Sequence, residues 1–423
     1  MKIAMVIRRL DVKGGTQRLF LYLANQFRAR GHEVTIYPFF YSKEACYPDL
    51  LEGFDVIALD PQQARDPEYK TLRSIPLGRY AATLLTMGHE TRSARAMAKL
   101  IKPDVDLLNV HDRVAHRAVK FFRARVTRRV PAVWNTNDTH SMRHLVDKLA
   151  AVDPDRYVQP LLKQWIYRMR DAYENWRFIR PLDAIVVVDK FNQKAVRDYF
   201  GREAFVARNG PNLAQFTYKP RTAPKDKKVN LLTSGIFFPH RRFEDAIRAT
   251  RILADQGYDA ILRIIGDPAG DPEYAARLFK LVDELKLAER VIFLKRISEK
   301  ELIERYHEAD IFLYPHTMQS DGLAPTEAMA CGLVPVVSRG AGIHEIIDEE
   351  KNGLLANAMD PADIARSVRA LVDDPARYER ISAYAAEFVR RTFTWEKYAD
   401  RELAIFEHVL KGAPLTADPE RRE

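Results

Sequence analysis

Cysteine is scarce in this chain. Cys46 and Cys331 are the two among 423 residues, too few for a disulfide framework or a four-cysteine metal site, and in keeping with a reducing cytoplasm. No run approaches the roughly 18–20 apolar residues that a membrane span needs. The first apolar segment, Lys2 to Ile7, ends in Arg8-Arg9 and is too short for a secretory leader. No G-x-G-x-x-G follows it, so the opening strand does not carry a dinucleotide fingerprint. Acids are missing from one stretch altogether: seven cations lie from Arg113 to Arg129 with no Asp or Glu between them.

What is present describes a folded chain. At 47% apolar and 30% charged residues it is globular, not disordered, and its length suits two domains of about 200 residues. The net charge of +9 divides unevenly. Residues 1–220 hold 37 Lys+Arg against 23 Asp+Glu, and residues 221–423 hold 30 against 35. A basic half beside a mildly acidic half implies that one domain meets an anionic partner. No recognised nucleic-acid-binding module occurs, which leaves an anionic bilayer or a phosphorylated acceptor.

Lys2–Ile7 reads as a buried parallel strand, followed by Gly14-Gly15 and a helix with Leu19, Leu23 and Phe27 on one face. Val34–Tyr37 is the second strand, so the chain opens as a doubly wound unit. Residues 61–102 read as flanking helices. Val105–Val110 is a strand with His111-Asp112 at its carboxyl end, where ligands bind in open α/β sheets. The preceding Asp104-Val-Asp106 reads as a solvated loop. The basic stretch predicts a helix over Val114–Arg129, either lying on a membrane surface or packed on the core with a solvated basic face. Pro131–Trp134 leads to Asn137 and His140; His140 and His144 stand four apart, but no third metal ligand accompanies them. Residues 141–180 read as one or two long helices rich in Arg, Tyr and Trp, a face for packing or for a lipid headgroup or glycan. A linker is expected at Phe216–Asp226, stiffened by Pro220 and Pro224.

In the second half, Val229–Ser234 is a strand, Gly235 opens a loop containing Arg241-Arg242, and a helix starts at Phe243. After Val291–Leu294 come Lys295-Arg296-Ile297. Ile311–Tyr314 then runs into Gln319–Gly332, read Q-S-D-G-L-A-P-T-E-A-M-A-C-G. A strand, a glycine turn and a helix mouth make an anion site: the N–H groups of Gly322, Leu323 and Ala324 would point outward, and the helix dipole favours negative charge. Glu327, about one turn in, can accept hydrogen bonds from hydroxyls. An anion beside hydroxyls describes a nucleotide diphosphate with its ribose and sugar.

The same stretch resembles the signature of the family 4 retaining glycosyltransferases of GT-B fold, E-x-F-G-L-x-x-x-E-A-M-A-x-G-x-P-V-V. Glu327 fills the second Glu, with Ala328-Met329-Ala330, Gly332 and Pro335-Val336-Val337 after it. Gln319 stands in the place of the first Glu and Asp321 in that of the Phe. The resemblance implies that Gly14 and Gly15 face the cleft opposite the donor. It puts Asn137 in the place of the active-site His, with His111 and His140 as alternatives. It brings the Gly235 loop to the leaving diphosphate, with Arg242 in the Lys place, Arg241 before it, and Ile236 where an Arg is usual. Ile297 falls where the nucleotide base meets the backbone.

The implied fold is α/β: two doubly wound Rossmann-like domains facing a cleft. Residues 1–215 would bind the acceptor and 216–393 the nucleotide sugar, while 394–423 form a helix packing back on the first domain and a tail. The implied activity moves a sugar, with retention and without metal or other cofactor, from a nucleotide-diphosphate sugar to a glycan or lipid-linked acceptor. The enzyme would be cytoplasmic, with peripheral attachment to the inner face of the cell membrane as an option. An amide at Gln319 still bonds hydroxyls but cannot stabilise positive charge at the anomeric carbon. That substitution keeps open an alternative, a weak or inactive sugar-nucleotide-binding protein.

Overall fold

The computed structural model describes residues 1–64, 78–318 and 320–413, without the side chains of Arg79 and Tyr80. Gln319 and the tail from Pro414 therefore lie outside the described residues. Among the described residues, thirteen strands form two parallel sheets. The first contains β1 (Lys2–Leu10), β2 (Glu33–Tyr41), β3 (Asp55–Val56), β4 (Leu107–His111), β5 (Ala132–Asn135), β6 (Ala184–Val187) and β7 (Phe205–Val206), in the order β3-β2-β1-β4-β5-β6-β7. The second contains β8 (Lys228–Ser234), β9 (Asp259–Ile265), β10 (Val291–Leu294), β11 (Ile311–Tyr314), β12 (Val334–Ser338) and β13 (Leu354–Ala356), in the order β10-β9-β8-β11-β12-β13.

The physical basis is the apolar run. Ala4 to Ile7 are fully buried because helices cover both faces of the sheet, so side chains pointing either way enter a core. Register follows: Met5 pairs with Ile36 on one side and Asn109 on the other. In each sheet the strand order reverses once, between β1 and β4 and between β8 and β11, and the crevice at the strand ends there is the expected ligand site.

The two halves are tied across their facing edges by ion pairs. Arg18 reaches Glu299 at 2.8 Å, Arg156 reaches Asp271 at 2.9 Å, and Arg277 reaches Asp153 at 2.8 Å. The helix Trp395–Lys411, capped by the Thr394 hydroxyl, lies against the helix Gly15–Ala29, with Phe406 buried 5.3 Å from Phe27.

Three expectations are corrected. The basic helix runs only over Ala115–Arg123, and several cations of the stretch are tied to partners within the domain. Arg117 is buried in a two-pronged pair with Glu174 at 2.7 and 2.8 Å. Arg123 binds Asp183, Arg128 donates to the Val105 carbonyl at 2.6 Å, and Arg129 reaches Asp183 at 2.7 Å. These partners lie far away in the chain, so nothing local announces them. Residues 141–180 form three helices, Met142–Ala150, Pro154–Tyr157 and Leu161–Glu174, the last running into a π turn at Asn175–Ile179. The strand placed at Val105 begins two residues later, at Leu107. No helix among the described residues is long and apolar enough to cross a membrane.

Glu402 sits fully buried beneath β5, accepting from the Asn135 amide. Burial pushes its carboxyl up to about 8. A folded-state value above the unfolded one means that the native state holds a proton the unfolded chain has lost, so stability falls as pH rises through that window. Glu402→Gln should therefore gain relative to wild type between about pH 5 and about pH 8. Urea midpoints measured at both pH values check this; parallel changes in the two proteins would refute it.

Candidate active site

β11 is buried throughout and delivers the chain to Gly322. There φ is +70°, and a Cβ would lie 2.5 Å from the Tyr314 hydroxyl, so only glycine makes this turn. The helix Leu323–Ala330 follows with no side chain capping it, leaving its first amides available. Glu327, one turn in, is buried. Its carboxylate accepts from Arg18 at 3.2 Å and from the Tyr306 hydroxyl at 3.2 Å.

Asp321 does not turn toward that helix mouth. Its carboxylate takes Arg208 at 2.8 Å, while its amide donates to Asp189 at 2.7 Å. Glu345 binds the same guanidinium. Three carboxylates around one buried cation carry more negative charge than the site can hold. Burial, with the neighbouring carboxylates adding to it, raises Asp321 to about 8 and Asp189 to about 6. Asp321 thus fastens the turn to the first sheet, a correction to its expected place at the donor.

The Gly235 loop is packed closely. A Cβ on Gly266 would come within 2.1 Å of the Gly235 carbonyl oxygen, and one on Gly235 within 3.3 Å of Arg241. Arg241 lies half-buried beneath, its Nη1 bonded to His316 Nδ1 at 3.1 Å and its charge beside Tyr314. A guanidinium only donates, so Nδ1 accepts and the imidazole is neutral with its proton on Nε2. Burial, then the charge of Arg241, holds His316 well below its usual range, in agreement. Arg242 points elsewhere. Its guanidinium is gripped by Asp245 at 2.8 Å twice and by Glu244 at 2.7 Å, which corrects its expected place at the diphosphate. The i,i+3 spacing of Arg242 and Asp245 at a helix start was the local signal for this. Ile236 is 52% exposed on the same loop.

A second cation comes from the opposite domain. The helix Met142–Ala150 packs on the short turn Pro239–Arg241 and buries Lys148. Its Nζ lies 3.6 Å from Asp138, and burial lowers its affinity for a proton, with Arg241 adding to the effect. No sequence pattern marks Lys148, because the Pro239–Arg241 turn that covers it belongs to another domain.

On the first sheet, Asp112 adopts φ +65° at the end of β4. Such strain in a non-glycine residue gathers at functional sites. His140 Nε2 sits 3.1 Å from its carboxylate and stacks on Trp134. Burial, the largest single influence, works against the ionised form of Asp112, but the bond and charge of His140, the Arg113 amide and the charge of Arg8 together outweigh it and lower the carboxyl. His111 is buried, with Nε2 2.6 Å from Asn109 and its ring edge-on to Phe20. Burial drives it to about 3, so it is a neutral core histidine, which corrects its candidacy. Asn137 is half-buried, and its carbonyl accepts from Asn192 at 3.5 Å. Gly14 and Gly15 open the helix that carries Arg18 to Glu327; a Cβ on Gly15 would meet open space. Ile297 is half-buried past β10 against the second core.

Among the described residues, Arg241 Nε, His316 Nε2, Asp138 Oδ1 and Asp321 Oδ1 are buried without a hydrogen-bond partner. Native interiors keep few such groups. Here Arg241, His316 and Asp138 gather with Lys148 at the Gly235 loop, and the Tyr314 hydroxyl lies between Arg241 and Gly322. A half-buried guanidinium, an ammonium, an imidazole N–H and helix-mouth amides make a set of donors suited to a multiply charged anion.

Known proteins share this plan. Residues 13–215 match the model described as Glycosyltransferase Family 4, and residues 215–388 match that described as Glycosyl transferases group 1. Glycogen synthase of Mycobacterium tuberculosis is 26% identical over 420 residues, covering 95% of this chain and 92% of that protein. The D-inositol 3-phosphate glycosyltransferase of Geodermatophilus obscurus is 30% identical over 245 residues, 54% of this chain and 53% of that protein. Among solved structures, Anabaena HepE in complex with UDP superposes with a TM-score of 0.67 at 17% identity, covering 96% of this chain and 100% of that one. A Rickettsia africae glycosyltransferase gives 0.69 at 15%, covering 97% and 99%. Two facing parallel sheets, an anion receptor between them and a family match to each half lead to one conclusion: the chain belongs to the family 4 glycosyltransferases and is a transferase of the GT-B fold.

Proposed function

We propose that the protein moves a sugar from a nucleotide-diphosphate sugar to a glycan or lipid-linked acceptor, with retention at the anomeric carbon and without a metal. The observation that carries this reading is the meeting of Arg241 and the Gly322 helix mouth at the Tyr314 hydroxyl. In the transfer, the bond from the anomeric carbon to the phosphate oxygen breaks and negative charge grows on the diphosphate. Arg241, Lys148, the His316 N–H and the amides of Gly322, Leu323 and Ala324 are fixed donors that compensate it. Lys148 supplies from the first domain the cation that Ile236 does not. Glu327, oriented by Arg18 and Tyr306, accepts from the ribose hydroxyls. The acceptor oxygen bonds to the anomeric carbon and releases its proton; His140, held by Asp112, is the group suited to orient or receive it.

The donor domain comprises 216–393 and the acceptor domain 1–215, with the helix after Thr394 returning to the latter. Ile297 and the end of β10 flank the base. UDP is the first nucleotide to test, since HepE was solved with it. The buried free thiols Cys46 and Cys331 accord with a cytoplasmic enzyme.

Arg241→Ala should lower turnover by about 10²–10³. Arg242→Ala, which removes an ion pair turned away from the receptor, should lower the melting temperature while changing turnover less than about tenfold. Steady-state kinetics of both variants test the assignment, and the reverse ranking would return Arg242 to the site. Wild-type protein should also melt at a higher temperature with UDP, GDP or ADP, because a ligand of the native state stabilises it. No shift with any of the three would remove the nucleotide reading.

A further inference from the structure

The helix Leu161–Glu174 carries a stripe of large apolar side chains that it does not bury. Leu161 is 82% exposed, Trp165 58% and Met169 52%; on the facing helix Gly78–Leu100, Leu84 is 68% exposed. A soluble protein seldom leaves such a contiguous patch open without a use for it. Between the two helices runs a groove of about 630 Å³, walled by Leu84, Met87, Trp165, Ile166 and Met169. Gly88 lies in the middle of its helix, and a Cβ there would meet nothing within 4 Å, so its missing side chain widens the groove.

One wall is charged. Arg170 lines the groove, mostly buried, and no carboxylate or carbonyl bonds its guanidinium among the described residues. The charges that act on it are Arg113, which repels it, and Glu90, Asp171 and Glu174, which attract it; Glu90 is already bound by Arg113 at 2.6 Å, Asp171 by the Ser141 hydroxyl at 2.7 Å and Glu174 by Arg117 at 2.7 Å. The Arg113 amide in turn donates to Asp112 at 2.6 Å. The groove therefore opens beside the carboxyl end of β4, where the acceptor would lie. An apolar trough with an unbonded guanidinium at its wall is complementary to an anionic head joined to a hydrocarbon chain.

We propose that this groove holds the hydrocarbon chain of a lipid acceptor whose phosphate is bound by Arg170. This rests on the transferase reading and narrows the acceptor to one class, a lipid phosphate.

The test is titration of the wild-type protein with dodecyl phosphate below its critical micelle concentration, followed by tryptophan fluorescence and calorimetry. Saturable one-site binding is expected. Octyl phosphate and dodecyl maltoside should each bind at least about tenfold more weakly, the first for lost apolar contact and the second for lost charge. Inorganic phosphate alone should show no saturable binding. Arg170→Ala should weaken dodecyl phosphate by about tenfold. Trp165→Glu, at an exposed position, should abolish binding with the circular dichroism spectrum retained. Equal affinity for the neutral and anionic probes, or no effect of either variant, would overturn the proposal. So would binding to phosphatidylglycerol vesicles that dodecyl phosphate does not compete, or a dimer that Trp165→Glu dissociates. The nucleotide melting shift of the wild-type protein is a separate measurement, so failure of the groove and failure of the donor site can be told apart.

Discussion

A diphosphate leaving group is an accumulation of charge in a place from which water must largely be excluded. In the function proposed, that charge is met by groups that are already oriented. Tyr314 is the pivot. It ends β11, its hydroxyl lies so close above Gly322 that no side chain fits there, and Arg241 packs beside the same ring. The turn's left-handed geometry and the arginine's placement are thus set by one buried phenol. Preorganised donors need not reorient during the reaction, which is the main source of their effect.

The second constraint concerns how the two domains are held. Carboxylates and guanidinium groups meet across the cleft, and several of them are buried. Glu327 is oriented by Arg18 of the opposite domain, while Asp189, Arg208, Asp321 and Glu345 form a cluster with an excess of acid. Such pairs add little to net stability, because desolvation offsets much of their attraction, but they fix geometry strongly. The donor loop is accordingly fastened to the first domain through Asp321. The same logic explains the basic first half. Some of its arginines, Arg117 and Arg123 among them, neutralise buried acids or hold carbonyls within the domain, while Arg128 and Arg129 keep exposed side chains.

Much of the plan could be read from the residues in order. Continuous apolar runs separated by helical periodicity dictate parallel sheets with covered faces, and β1, β2, β8 and β11 appear close to where such runs lie. The glycine before Leu323 and the carboxylate at Glu327 mark the helix mouth, because a positive φ and an acid one turn into the helix are local features. The placement of His111 failed for a related reason: the carboxyl end of a strand is a good guide to position, but the side chain's direction alternates along it. His111 turned into the core beside Phe20, while the neighbouring Asp112 met His140.

By itself, then, the sequence determined the two doubly wound sheets and the glycine turn at Gly322. These depend on interactions within a few residues along the chain. Only the tertiary structure decided which cations gather at the Gly235 loop. Arg241 turned inward and Arg242 outward because Glu244 and Asp245 capture the second, and Lys148 arrived from a helix of the other domain. Charge selection of this kind depends on distance in space, and residues far apart in the chain carry no mark of being neighbours until the two sheets are packed against each other.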